Sequence, residues 1–134
     1  MSQQDLNLLH AGYEAFAAGD VESALALMSA DLELHVHTER PDIQSRKYHG
    51  HDGFRANFGE LTDVFDDLHV EPTEFDDRDG RVLAVVRVTG RGKASGVAIE
   101  AKIFHVWTIR DGKATRLEIF SDRKQAERAL GPAG

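Results

Sequence analysis

Apolar positions recur along this chain at two different periods, and the change of period divides it. Near the start Leu6, Leu9, Tyr13 and Phe16 fall at helical spacing, with Ser2 and Asp5 as a capping pair and Gly19 as a permissive stop. Asp20 then caps a short second helix through Val21, Ala24, Leu25 and Met28. Residues 31–37 alternate instead. Leu32, Leu34 and Val36 share one face and Glu33, His35 and His37 the other, the pattern of a half-buried strand. Residues 38–50 read as a polar loop containing Pro41. Asp52 then caps a third helix whose stripe is Phe54, Phe58, Leu61 and Phe65.

From about residue 69 the period is two and stays so, predicting strands at 69–78, 81–91, 97–110 and 113–121. Asp79-Gly80 and Asp111-Gly112 are tight hairpin turns, and Gly92 to Gly96 is a looser one. Residues 123–130 make a short terminal helix, capped by Asp122 and stopped by Gly131-Pro132. Three helices followed by an antiparallel meander predict one α+β domain over residues 1–134, its helices on one face of the sheet. The strands are apolar on both faces, however. Ala84, Val86, Val88, Ile103, His105, Trp107, Ile109, Leu117 and Ile119 share the face assigned to the helices. Leu83, Val85, Phe104, Val106 and Phe120 share the other, mixed with Arg87, Lys102, Arg110 and Arg116. That second face needs a cover, and a homodimer through the outer sheet face, its bases meeting acidic helix surface of the second copy, is the economical one.

Composition narrows the chemistry. With no cysteine there is no thiol nucleophile, disulfide or thiolate metal site. The polar N-terminus and short apolar runs predict a cytoplasmic protein with no membrane partner. The net charge of −7 is unevenly spread: residues 1–77 hold 17 acids and 4 bases, residues 78–134 hold 6 acids and 12 bases. Those later bases stand singly along strands, without the clustering of a phosphate-tracking groove, so no nucleic acid is expected. His35/His37 and His49/His51 each form an H-x-H pair. On a strand such a pair points two imidazoles to one side, as metal ligands do, but no third ligand stands at a fixed spacing and no metal is expected. Asp63, Asp66 and Asp67 read as a solvated helix end, and Asp76, Asp77 and Asp79 as a hairpin rim.

Several motifs, in order, carry a resemblance. They are Tyr13 to Phe16 with Ala18-Gly19-Asp20; Tyr48-His49-Gly50-His51-Asp52-Gly53; the segment 89–96; His105 to Lys113 with Trp107 and Asp111-Gly112; and Ser121-Asp122-Arg123. Together they make the chain resemble the nuclear transport factor 2-like superfamily, in its SnoaL-like branch, over nearly its full length. The resemblance implies a cystatin-like, cone-shaped α+β fold: three N-terminal helices on a strongly curved mixed or antiparallel sheet, open at one end, cofactor-free and often dimeric. It does not imply one reaction, since the superfold hosts isomerases, cyclases, hydrolases and plain binding proteins. Ketosteroid isomerases are similar to this chain and use an Asp base with a Tyr and a protonated Asp. Aligned on the shared Ala-Gly-Asp and Trp107, those positions hold Val36, Gly12 (beside Tyr13) and His105. The inward acid of the SnoaL-type cyclases has no counterpart among Leu117, Ile119 and Ser121, and no inward Arg supports an epoxide-hydrolase cluster.

The resemblance places His105 in the pocket, and its strand parity puts it among apolar neighbours. A neutral imidazole there is an acid/base candidate whose pKa burial lowers. The alternative is a core histidine bonded to a backbone carbonyl. Asn57 maps to a pocket-lining position that could orient a carbonyl, while Tyr13 and Trp107 offer polar handles that serve packing equally well. Tyr13, Phe16, Phe54, Asn57, Phe58, Trp107 and Ile119 form the expected ligand-binding set. The pocket should be mostly apolar, several hundred Å3 in size, and walled also by Val86, Val88, Ile103 and Leu117. Two functions fit: a cofactor-independent isomerase or cyclase with His105 as acid/base, acting on an apolar carbonyl compound, or a non-catalytic binder of a hydrophobic metabolite.

Overall fold

The tight turns determine most of the sheet. At the last hairpin Asp111 and Gly112 both take positive φ (52° and 74°), the two-residue geometry that matches strand twist. The computed structural model describes residues 3–37, 46–78 and 80–131. Ser2, Pro41, Asp79 and Pro132, assigned above to caps, turns and loop, lie outside them. In chain order the elements are α1 (Gln3–Ala17), α2 (Val21–Leu25), β1 (Met28–Val36), β2 (Arg46–His49), α3 (Gly50–Val64), β3 (Phe65–Asp77), β4 (Arg81–Gly92), β5 (Ala98–Arg110), β6 (Lys113–Phe120) and α4 (Arg123–Leu130). The sheet runs β2-β1-β6-β5-β4-β3. Strands β3 to β6 form the antiparallel meander, while β1 lies parallel to β6 and so makes the sheet mixed. Register shifts in β1, twice in β3 and between β5 and β6 bend it, as bulges do. The α+β cone expected from the sequence is the fold observed.

Several elements differ from the sequence reading: Met28, placed on the second helix, opens β1, and Phe65, Asp66 and Asp67, placed on the third helix and its end, lie in β3. Residues 46–49, assigned to a loop, pair antiparallel with β1 as β2. Helix α3 begins at Gly50 rather than after Asp52, with His49 as an N-cap residue that makes no side-chain capping bond. Asp52 sits in the first turn and pairs with Arg55. Gly50 has φ of 71°, and a Cβ there would stand 3.1 Å from the Ala30 carbonyl oxygen. The glycine lets the β2–α3 corner press against β1.

The inner face of the sheet carries Val82, Ala84, Val86, Trp107, Ile109 and Leu117 against Leu9 and Tyr13 of α1, Leu25 of α2 and Phe54 of α3. On the outer face Leu83, Val85, Phe104, Val106 and Phe120 are all buried, which corrects the reason given for a homodimer. Helix α4 folds back over them, seating Ala126 and Leu130. Asp122 caps it by accepting from the Gln125 N–H at 3.2 Å. At its other end Arg81 and Arg78 donate to the Ala129 and Gly131 carbonyls, at 2.8 and 3.1 Å. Two of the outward bases also find partners within the chain: Arg87 pairs with Glu100, and Arg116 lies beside His35 and Glu118. The patch that called for a second copy is covered by the chain's own last helix.

Leu130, the last residue of α4, is 3% exposed within that contact. Leu130→Ala should therefore lower the unfolding free energy by about 2–4 kcal/mol in urea titrations. A loss under about 0.5 kcal/mol would mean that α4 does not hold the outer face.

Candidate functional site

Alternation along β5 turns Ile103, His105 and Trp107 to the same side, toward the helices. His105 is flanked across the ladder by Ala84 on β4 and Ile119 on β6. Tyr13 reaches it from the last turns of α1. The Tyr13 hydroxyl lies 2.6 Å from His105 Nδ1, and Trp107 Nε1–H donates to the same oxygen at 2.9 Å. All three side chains are buried. One arrangement of protons satisfies every group: the indole N–H donates to the phenol oxygen, and the phenol O–H donates to Nδ1. The other tautomer would put a proton on Nδ1 and leave the buried phenol O–H without an acceptor among the described residues. His105 is therefore the neutral Nε2–H tautomer, and its Nε2 has no protein partner among those residues. The backbone carbonyl considered as a partner for His105 is replaced by Tyr13.

Burial fixes the charge state of this chain of bonds. Desolvation lowers the His105 pKa from the ordinary 6.5 to about 4. The same cause raises the Tyr13 pKa, partly opposed by the bond from Trp107. Both rings are neutral near pH 7. An imidazole with so low a pKa is a poor proton acceptor there, but its N–H remains a good hydrogen-bond donor.

His105, Tyr13 and Trp107 border an apolar cavity of about 60 Å3 between α1, α2, α3 and the sheet. Phe16 and Phe54 line it as expected, together with Leu117. Leu9, Leu27, Met28 and Val70, not anticipated as lining, close much of the rest. Of the other expected residues, Asn57, Phe58, Ile119, Val86, Val88 and Ile103 do not border it. Val86 is fully buried in the core, and Asn57 lies half-buried on α3. Phe58 packs edge-on against Phe16 at 4.7 Å between centroids. Val88, Ile103 and Ile119 are half-buried on the inner face. The cavity is well below the several hundred Å3 expected, because α1 and α2 press their leucines onto the sheet floor. Beyond Tyr13 and Val70, which both spaces share, a more polar recess of about 460 Å3 opens between α1 and β3, beside His10, His69 and Arg87.

A second group lies on the opposite side of the sheet. His35 of β1 and His37 just beyond its end meet Glu118 of β6, three donors within 4.8 Å of one another. The H-x-H spacing pointed to the pair. Its third member was out of sight because the β1–β6 pairing joins distant segments.

A family model for the SnoaL-like domain matches residues 9–117. The chain belongs to the SnoaL-like domain family. No curated protein matches it. Among solved structures, TerC co-crystallised with polyporic acid is 25% identical, with a TM-score of 0.77, 96% of this chain and 98% of that one being covered. A protein described as NTF2-like from Burkholderia xenovorans LB400 is likewise 25% identical, at TM-score 0.73 with 98% of both chains covered. A protein of ketosteroid isomerase-like fold from Catenulispora acidiphila, in complex with trimethylamine, shares the fold at 14% identity and TM-score 0.73, over 94% of each chain. In this SnoaL-like chain no carboxylate among the described residues borders the cavity, and the acid of β6, Glu118, points away from it.

The buried histidine makes stability depend on pH. With a folded pKa near 4 against 6.5 unfolded, the unfolded chain carries the extra proton between those values. Stability contributed by His105 is thus complete above about pH 6.5 and falls on acidification toward pH 4, at up to about 1.4 kcal/mol per pH unit. Urea titrations from pH 4.5 to 7.5 should show His105→Gln with a shallower slope than wild type. Parallel slopes would mean that His105 protonates freely in the folded state.

Proposed function

We propose that this chain binds a small, largely apolar carbonyl compound in the space bordered by Tyr13, His105 and Trp107, with His105 Nε2–H as its polar anchor. The observation that carries this reading is the bond chain itself. It fixes the tautomer that leaves one donor unpaired in an otherwise apolar lining, the usual design of a small-molecule pocket. Relatives of the same fold solved with polyporic acid and with trimethylamine support small-molecule binding as a use of this scaffold. At about 60 Å3 as it stands, the cavity holds only a few heavy atoms, so even a ligand of the size of acetophenone needs it to widen. A larger ligand requires α1 to move outward toward the recess that Tyr13 and Val70 share with it. Phe16 and Phe54 supply its aromatic walls beside Trp107.

Catalysis is the second reading, and the same bond chain favours one form of it. A neutral imidazole held by Tyr13 polarises a carbonyl by hydrogen bonding, in the manner of an electrophile rather than a base. Proton abstraction by His105 fits poorly, because its lowered pKa makes it a weak base and no carboxylate among the described residues borders the cavity to share the task.

Trp107 is the only tryptophan, so its fluorescence reports on this site. Acetophenone should perturb it, and cumene, nearly the same shape without the carbonyl, should bind about tenfold more weakly. His105→Ala should remove that preference while leaving cumene affinity unchanged. Equal affinities for both compounds in the wild type would refute the anchor. Deuterium uptake into the acetophenone methyl group in D2O, accelerated by wild type but not by His105→Ala, would decide for catalysis over binding alone.

A further inference from the structure

The outward face of β1 carries Glu33 and His35, with His37 directly after the strand, and the parallel strand β6 sets Arg116 and Glu118 beside them. Register pairs His35 with Glu118 and Glu33 with Arg116. His37 Nε2 stands 3.1 Å from Glu118 Oε2, and the His35 and His37 ring centroids are 6.0 Å apart. The His37 ring lies flat on Phe120, centroids 4.4 Å apart, which holds its orientation. All three residues are half-buried, so they are accessible yet constrained.

We propose that His35, His37 and Glu118 form a binding site for a divalent transition metal, zinc above all. Two imidazoles and one carboxylate are a donor set suited to zinc and other late first-row ions. The three donor atoms lie within 4.8 Å of one another. Tetrahedral zinc with bonds of about 2.1 Å separates its ligands by about 3.4 Å. Closing that gap takes side-chain rotation on two adjacent strands, with no change of register. Three protein ligands leave one position for water or another small donor. Glu33, whose Oε2 is 3.9 Å from His35 Nε2, is near enough to support the set.

Arg116 is the built-in competitor. Its Nη2 is 3.2 Å from His35 Nδ1, and its Nε is 3.6 Å from Glu118 Oε1. Yet that buried Nε–H makes no hydrogen bond, so the guanidinium fills the place of a cation with one of its donors left unsatisfied. An arriving metal replaces one cation by another, and Arg116 swings toward solvent. Lys47, across from His35 on β2, adds to the repulsion the metal must overcome. The site faces away from the cavity, because His35, His37 and Glu118 have the outward parity of their strands. Its effect is to tie β1 to β6, the one parallel pairing among the described strands.

Zinc alone, titrated into the tag-free full chain by calorimetry, tests the site, with Co2+ absorption as a reporter of geometry. Wild type should bind one equivalent and melt at a higher temperature with zinc present. His37→Ala and Glu118→Gln should each weaken binding at least about tenfold, while Arg116→Gln should strengthen it. His49→Ala should leave it unchanged. Circular dichroism confirms that each variant is folded. The site is overturned if wild type takes up no zinc at submillimolar concentration, including the case where only Arg116→Gln binds. It is overturned equally if His37→Ala and Glu118→Gln bind as wild type does.

Discussion

A sheet that is apolar on both faces must be covered twice, and the architecture follows from that constraint. Strands with alternating apolar residues on both sides are ordinary where helices flank both faces. Here the two covers are unequal. The inner one is made of α1, α2 and α3, which together enclose a cavity. The outer one is the single short helix α4, fastened by Asp122 at one end and by Arg78 and Arg81 at the other. Because the chain supplies both covers itself, the inner face is free to be shaped for something other than holding the fold together.

That division explains where polar groups are allowed. Buried polar groups are tolerated only when bonded. The inner core meets the requirement at Tyr13, Trp107 and His105 Nδ1, with Tyr13 and His105 left neutral by burial, and it leaves His105 Nε2 without a protein partner among the described residues. The bonds among Tyr13, His105 and Trp107 also fasten the last turns of α1 to the middle of β5. One set of contacts thus orients the imidazole and limits how far α1 can move from the sheet.

The sequence displayed the strands well because period-two alternation is strong from β4 to β6, and the faces assigned to Val85, Val106 or Trp107 are the faces observed. Strand β2 was hidden, since Arg46, Lys47, Tyr48 and His49 show no apolar alternation and pair only because β1 has an open edge. The helix at 123–130 was legible, but its docking was not: Ala126 and Leu130 alone do not announce which surface they meet. At the site, Tyr13, His105 and Trp107 each stood out singly. Their mutual bonds depend on how α1 lies over β5, which no spacing along the chain records. Cavity size was equally illegible, since it rests on how Leu9, Leu27 and Met28 fill space rather than on which face they occupy.

The parallel joining of β1 to β6 has a consequence for assembly. His37 and Glu118 are neighbours across 81 positions of chain. Loop-closure entropy and contact order both make such a pairing slow relative to the hairpins that precede it. During synthesis the meander can zip from β3 onward, but the β1–β2 pair stays without its neighbour in the sheet until β6 has emerged. Helix α4 arrives later still, so the outer face is the last to be shielded from other nascent chains. The order of the chain thus makes its C-terminal quarter the step that completes folding.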